Sequence, residues 1–154
     1  MATDEEKAAR IERALKAVVN ALEDAQKGLV EIGEHLKDPD LKAHFLAESL
    51  RRANFRGELE NELRRQGVAD VHETGTGAGM VYRAWAGLKA ALGGGDSSLL
   101  VSAQEAEDEE LKTYRDALEQ ELPLPLRQML AEQEAQIQLA LEFVRNRRTT
   151  LKSR

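Results

Sequence analysis

The sequence predicts an all-α protein: a four-helix bundle in one domain spanning residues 1–154, with a long crossover carrying a short helix between helices two and three. Three observations carry this reading. Hydrophobic residues make up 42% of the 154 positions but aromatics only 4%, and strands draw on the β-branched and aromatic side chains that are scarce here. Long segments repeat apolar residues at alternating spacings of four and three, the pattern of a helix that buries one face. Finally, 8 of the 11 glycines fall within residues 67–95, which divides the helical segments into two pairs.

Helix one is expected from about Thr3 to Lys37. Thr3 and Glu6 have capping-box spacing, and Ile11, Leu15, Val18, Leu22, Ala25, Leu29, Ile32 and Leu36 form a heptad seam free of carboxylates. Val19, Ala21 and Val30 widen its buried face. KDPDLKA then breaks the helix, because Pro39 cannot continue it but suits the first turn of a new one with Asp38 as N-cap. So short a connection makes helices one and two antiparallel neighbours. Helix two is expected from Pro39 to Gln66, ended by Gly67. Its main row is Leu41, Phe45, Glu48, Arg52, Phe55 and Leu59, with Leu46, Leu50, Ala53 and Gly57 beside it.

GVADVHETGTGAG reads as a connector and GGGD as a stop. Between them MVYRAWAGLKAAL places Met80, Val81, Ala84, Trp85, Leu88 and Leu92 at helical spacing. A connection of this length does not suit an up-down turn and points to a crossover. Helix three should begin near Asp96 or Ser97, either of which can cap it. Its row is Leu100, Ala103, Glu107, Leu111, Tyr114 and Leu118. ELPLPL ends it, and helix four carries Leu126, Leu130, Gln133, Ile137, Ala140 and Val144 on one stripe. The tail 145–154 has five basic residues and no acidic ones.

Composition excludes several functions. A net charge of −6 argues for solubility and against general nucleic-acid binding. The absence of cysteine removes disulfides, thiolate metal sites and cysteine nucleophiles. MATDEEKAARIER lacks the apolar core of a secretory signal, and no run approaches the ~18 apolar residues of a spanning helix. A cytoplasmic protein without membrane association is expected.

The charged members of apolar rows raise the functional question. Glu107 could be a metal ligand, a buried ion-pair partner or a rim residue that reaches water. Glu48 and Arg52, at i and i+4, can pair on their own helix.

The KDPDLKAHF turn, the RANFRGELE run of helix two, TGTGAGMVYRAWAGLKAAL and LKTYRDALEQELP resemble a bacterial ferritin-like four-helix-bundle family catalogued as a domain of unknown function. The resemblance covers roughly residues 15–148, and it implies a fold more than an activity. Ferritin-like di-metal sites take a Glu from each of two helices and a Glu-x-x-His from each of the others. Here no Glu is followed by His at i+3. Position 51 after Glu48 is Arg, helix four offers Gln133 and Gln136, Glu134 is followed by Ile137, and helix one has no inward carboxylate. Neutral amides replace carboxylates poorly around hard cations. The preferred reading of Glu48, Arg52, Glu107 and Gln133 is therefore a structural polar layer in which Arg52 serves Glu48, Glu107 or both. The alternative makes Glu48 and Glu107 ligands of iron or another divalent metal.

Other motifs are weaker. His35 and His44 flank the first turn, where His44 and Glu48 share i, i+4 spacing, but too few ligands converge to favour a metal over solvated histidines. His72 has no partner pattern. TGTGAG follows no strand, so it is not a dinucleotide fingerprint, and no nucleophile elbow is present. The basic tail reads as a helix end whose cations suit the dipole, in preference to a contact with RNA or membrane.

Three functions remain: a non-catalytic bundle with a structural, interaction or stress-associated role; a ferritin-like metal protein for iron storage or di-metal oxidation; and a bundle binding a small ligand or lipid. The first is preferred, with no cofactor and with self-association, possible through the crossover helix around Trp85.

Overall fold

The computed structural model describes residues 3–68, 85 and 93–152. These form four long helices: α1 (Asp4–His35), α2 (Pro39–Arg65), α3 (Gly95–Leu118) and α4 (Leu124–Lys152). No strand occurs among the described residues. The short crossover helix, the TGTGAG glycines and His72 lie outside the described residues, Trp85 excepted.

The helix ends follow local chemistry. Thr3 caps α1, its hydroxyl accepting from the Glu6 amide at 3.1 Å. Leu36 turns to extended backbone, and the Asp38 carboxylate accepts from the amides of Asp40 and Leu41 to start α2. At the other end of α2, Gly67 adopts φ +93°. There the Val68 amide donates to the Leu63 carbonyl and the Gly67 amide to that of Arg64, the Schellman arrangement that satisfies the last carbonyls.

The start of α3 differs from the sequence expectation. Gly94 is its N-cap and no side chain caps it. Asp96 instead accepts from the backbone amides of Lys37 and Asp38, at 2.9 and 3.0 Å. Those amides sit in the turn where α1 has ended, so they lack intrahelical partners, and a carboxylate from a third helix satisfies both. The same turn receives Arg147 from α4, 2.8 Å from Asp38.

These contacts set the topology. The start of α3 and the end of α4 meet the α1–α2 turn, so α3 runs parallel to α2 and antiparallel to α1. The link from α2 to α3 therefore joins opposite ends of the bundle, the long crossover that the sequence predicts. α1 packs against α2 and α3, α3 against α4, and α4 more lightly against α2. α2 and α3 face each other across the diagonal.

The expected seams are the buried ones. Leu15, Val18, Leu22, Ala25, Leu29 and Ile32 of α1 and the capping Leu36 are buried, with Ile11 partly so, as are Leu126, Leu130, Ile137, Ala140 and Val144 of α4. The core divides into two clusters. One, near the α1–α2 turn, gathers Leu29, Ile32, Leu41, Phe45, Leu100 and Val144. The other, toward the opposite end, gathers Leu15, Leu22, Leu59, Leu111, Tyr114 and Leu130.

Trp85 is 7% exposed and belongs to the first cluster. A Cβ built on Gly28 would lie 2.0 Å from its ring, so the indole lies directly on the α1 backbone. Trp85 thus spends its own apolar surface inside the bundle. Replacing Gly28 with Ala should displace the indole and destabilise the fold by about 1–3 kcal/mol, the usual range for overpacking. As the only tryptophan, Trp85 reports on this directly: a red shift of intrinsic fluorescence is expected, and an unshifted spectrum would show that the ring does not rest on Gly28.

Candidate functional site

Between the two apolar clusters lies a charged layer. Arg52 of α2 is wholly buried. Its Nη1 donates to Glu48 Oε2 at 2.5 Å, its Nη2 to Glu107 Oε1 at 3.2 Å, and its Nε to Glu110 at 3.2 and 3.3 Å. Glu48 is one turn back on the same helix, whereas Glu107 and Glu110 come from α3 across the diagonal. One planar guanidinium, with donors fixed in a fork, thereby holds carboxylates from two helices. Glu48 also takes Nη1 of Arg51 at 2.6 Å, which links the layer to the surface.

Gln133, on the α4 stripe, is buried but outside the ion-pair set. Its Oε1 accepts from the Tyr114 hydroxyl at 2.7 Å. Its Nε2 donates to the Phe55 carbonyl at 3.2 Å and to Glu58 at 3.4 Å. Of the four residues singled out from sequence, the structure brings Glu48, Arg52 and Glu107 together and places Gln133 in an adjoining network with Tyr114. Glu110 is the member that the sequence reading missed. Its signal was its position three residues after Glu107 and four before Tyr114, which puts all three on one face of α3.

Charge does not balance in this layer. Three buried carboxylates surround Arg52, and one oxygen, Oε2 of Glu107, is buried without a hydrogen-bond partner. Burial pushes the Glu107 carboxyl up to about 8; Arg52 opposes this, while Glu110, Glu48 and Asp108 add to it. Glu110 is raised for the same leading reason. Burial works against the charge on Arg52, but Glu110, Glu107 and Glu48 outweigh it and hold the guanidinium above its usual range. Burial and the nearby Glu110 also raise Tyr114 well above an ordinary phenol, so it remains a hydrogen-bond donor to Gln133.

Among the described residues no three His, Asp or Glu side chains are grouped so as to hold a metal ion. The carboxylates converge on Arg52 instead. The histidines by the first turn have other neighbours. His35 Nδ1 lies 2.9 Å from the Glu31 carbonyl. The His44 ring stacks on Phe143 with centroids 4.0 Å apart, and burial lowers its pKa.

Arg52→Met should destabilise the protein by about 3–5 kcal/mol, the cost of stranding buried charges. Arg64→Met, which removes only an exposed pair with Glu60, should change stability by less than about 0.5 kcal/mol. Urea unfolding of both variants checks this, and equal effects would show that the carboxylates reach water.

The pH dependence follows from Glu107. Its folded pKa lies above its value of 4.5 in an unfolded chain, so between the two the folded state holds a proton that the unfolded state has released. The resulting stabilisation is full below about 4.5 and is lost as pH rises through about 8. Asp24, which burial raises to about 6, acts in the same direction but only at the lower end of this window. Between pH 6 and 9 wild-type stability should therefore fall, and Glu107→Gln should flatten that fall. Unfolding midpoints across this range measure it, and an unchanged slope would assign the titration to another group.

No curated protein matches the chain. Residues 10–120 match the family described as domain of unknown function DUF2383, and the chain belongs to that family.

Proposed function

We propose that the protein is a non-catalytic, ferritin-like helical bundle of the bacterial cytoplasm with a structural, interaction or stress-associated role, in which a fixed guanidinium occupies the place of a metal centre. The observation that carries this is the position of Arg52, whose three nitrogens are each directed at a buried carboxylate. In a ferritin-like bundle the inward carboxylates of facing helices hold two divalent cations. A guanidinium satisfies such carboxylates through directed hydrogen bonds, but it cannot change oxidation state, exchange or bind oxygen. The donor set fits a metal poorly: Glu48 and Glu107 bond to Arg52, Gln133 is a neutral amide already bonded to Tyr114, and α1 contributes no buried carboxylate. The cytoplasmic placement is supported by acidic composition and by the lack, among the described residues, of a helix long and apolar enough to cross a membrane.

Buried hydroxyls are likewise occupied. Tyr114 donates to Gln133, and Ser49 donates to the Leu46 carbonyl of its own helix at 2.6 Å. Each satisfies a polar group in the core.

The rival reading, with Glu48 and Glu107 as ligands of iron or another divalent ion, draws on the unpartnered Glu107 oxygen. It requires Arg52 to leave the layer. Elemental mass spectrometry on protein kept from chelators and nickel resin, before and after anaerobic addition of ferrous iron, separates the two. Less than about one-tenth metal per chain is expected. Near-stoichiometric metal that Glu107→Ala removes would establish the rival.

A further inference from the structure

α2 has two faces, and the charged layer uses only one. On the other, positions 43, 47, 50, 54, 57 and 61 repeat at alternating spacings of four and three and bear Ala, Ala, Leu, Asn, Gly and Asn. That is a second stripe at heptad spacing, uncharged and mostly of small side chains around one leucine, and it is directed away from the bundle. Leu50 is 68% exposed and Leu46, beside the seam, is 36% exposed. A Cβ placed on Gly57 would meet nothing within 4 Å, so this part of the seam is open to a close approach. The seam carries no charge over roughly 27 Å at 1.5 Å per residue, although 32% of the chain is charged.

One of its flanks is self-complementary, while the charges of the other, Glu60 and Arg64, pair with each other. Arg51 and Glu58 are two turns apart on the same side of the seam, equidistant from a point between Asn54 and Phe55. When two helices pair antiparallel, equivalent flanks meet, whereas in a parallel pair opposite flanks meet. Only the antiparallel pairing brings Arg51 of each copy beside Glu58 of the other. The same operation turns Leu50 toward the Gly57 end of the opposite seam, setting a large side chain against an open one. Arg51 is half exposed while it holds Glu48, and Glu58 is exposed.

We propose that this outer face of α2 is the site at which a second copy of the chain docks, antiparallel, about a two-fold axis near Asn54. The proposal deepens the interaction role inferred above and rests on that reading. It places self-association on α2 rather than on Trp85, whose ring is buried within its own bundle. A single helix pair of this length lies at the lower end of stable interface sizes, so the dimer is reversible and concentration-dependent.

Sedimentation velocity over a hundredfold concentration range, with the full chain, tests it. Wild type is expected to pass from monomer to dimer. Leu50→Glu should remain monomeric throughout. Arg51→Glu and Glu58→Lys each place like charges at both contacts and should weaken association on the order of tenfold. An equimolar mixture of those two variants restores both attractive pairs and should recover wild-type association. Circular dichroism melts establish that each variant is folded; Arg51→Glu removes a bond to Glu48 and Glu58→Lys one to Gln133, whereas Leu50→Glu touches neither and keeps the proposal testable should a charge variant disturb the layer. A wild type that stays monomeric, a dimer that survives Leu50→Glu, or a mixture that recovers nothing would each overturn the proposal. None of these outcomes bears on metal content, so failure here is distinguishable from failure of the non-catalytic reading.

Discussion

The buried guanidinium of Arg52 is the constraint on which the rest of the bundle depends. α2 and α3 lie across the diagonal and share little direct packing, yet Arg52 binds Glu107 and Glu110 of α3 as well as Glu48 of its own helix. It therefore connects the two helices that the long crossover separates in the chain. It also stands between the two apolar clusters. Heptad seams of Leu, Val and Ala tolerate sliding, because one apolar layer resembles the next. A guanidinium surrounded by three carboxylates does not, since a slip of one turn would leave buried ions without partners. The apolar clusters supply the drive to associate, and the charged layer selects the register.

The same layer explains why the site is stable without being charge-balanced. Three carboxylates and one guanidinium carry excess negative charge, and burial makes that excess costly. The cheapest compensation is a proton, and Glu107, buried and with one oxygen that has no hydrogen-bond partner, is a carboxyl where burial favours one. A carboxylic acid beside a guanidinium keeps one oxygen as an acceptor for Arg52 while shedding the charge. Tyr114 and Gln133 complete the layer on the side of α4 without adding charge. A layer that gathers cations keeps its carboxylates ionised and leaves room between them, and it is on this difference that the proposed structural role rests.

Much of this was legible in the sequence, for reasons that particular residues make clear. The seams of α1 and α4 were readable because every inward position is apolar or, at Gln133, falls on the same stripe. Thr3, Asp38, Pro39 and Gly67 mark helix ends through local chemistry, which depends on neighbours in the chain. Glu48, Arg52 and Glu107 stood out because charge on an apolar row is conspicuous. Glu110 did not, because in EAEDEELK it is one of several acidic residues and only the rotation of α3 against α2 buries it. Asp96 was misassigned for a related reason. Sequence pattern offers it the local amide of its own helix, whereas the fold presents two stronger claimants, the unpaired amides of Lys37 and Asp38. Where a side chain's partner is tens of residues away, spacing alone cannot choose among equivalent candidates.

The division of labour within α2 follows from its composition. This helix spends its largest inward positions on a charge network, so its burial is less apolar than that of α1, and it nevertheless keeps Leu46 and Leu50 on the outside. An exposed leucine alone carries no meaning. An uncharged row at heptad spacing, opposite an inward row of ions on the same helix, is a different matter, and it is the ground for the docking proposal. Arg51 lies between them, bonded to Glu48 of the buried layer and exposed beside the outer seam. Whatever docks along the outer face of α2 therefore meets a side chain already coupled to Glu48, and through Glu48 to Arg52. A second copy that drew on Arg51 would therefore act on the same connected set of charges that holds Glu48 to Arg52.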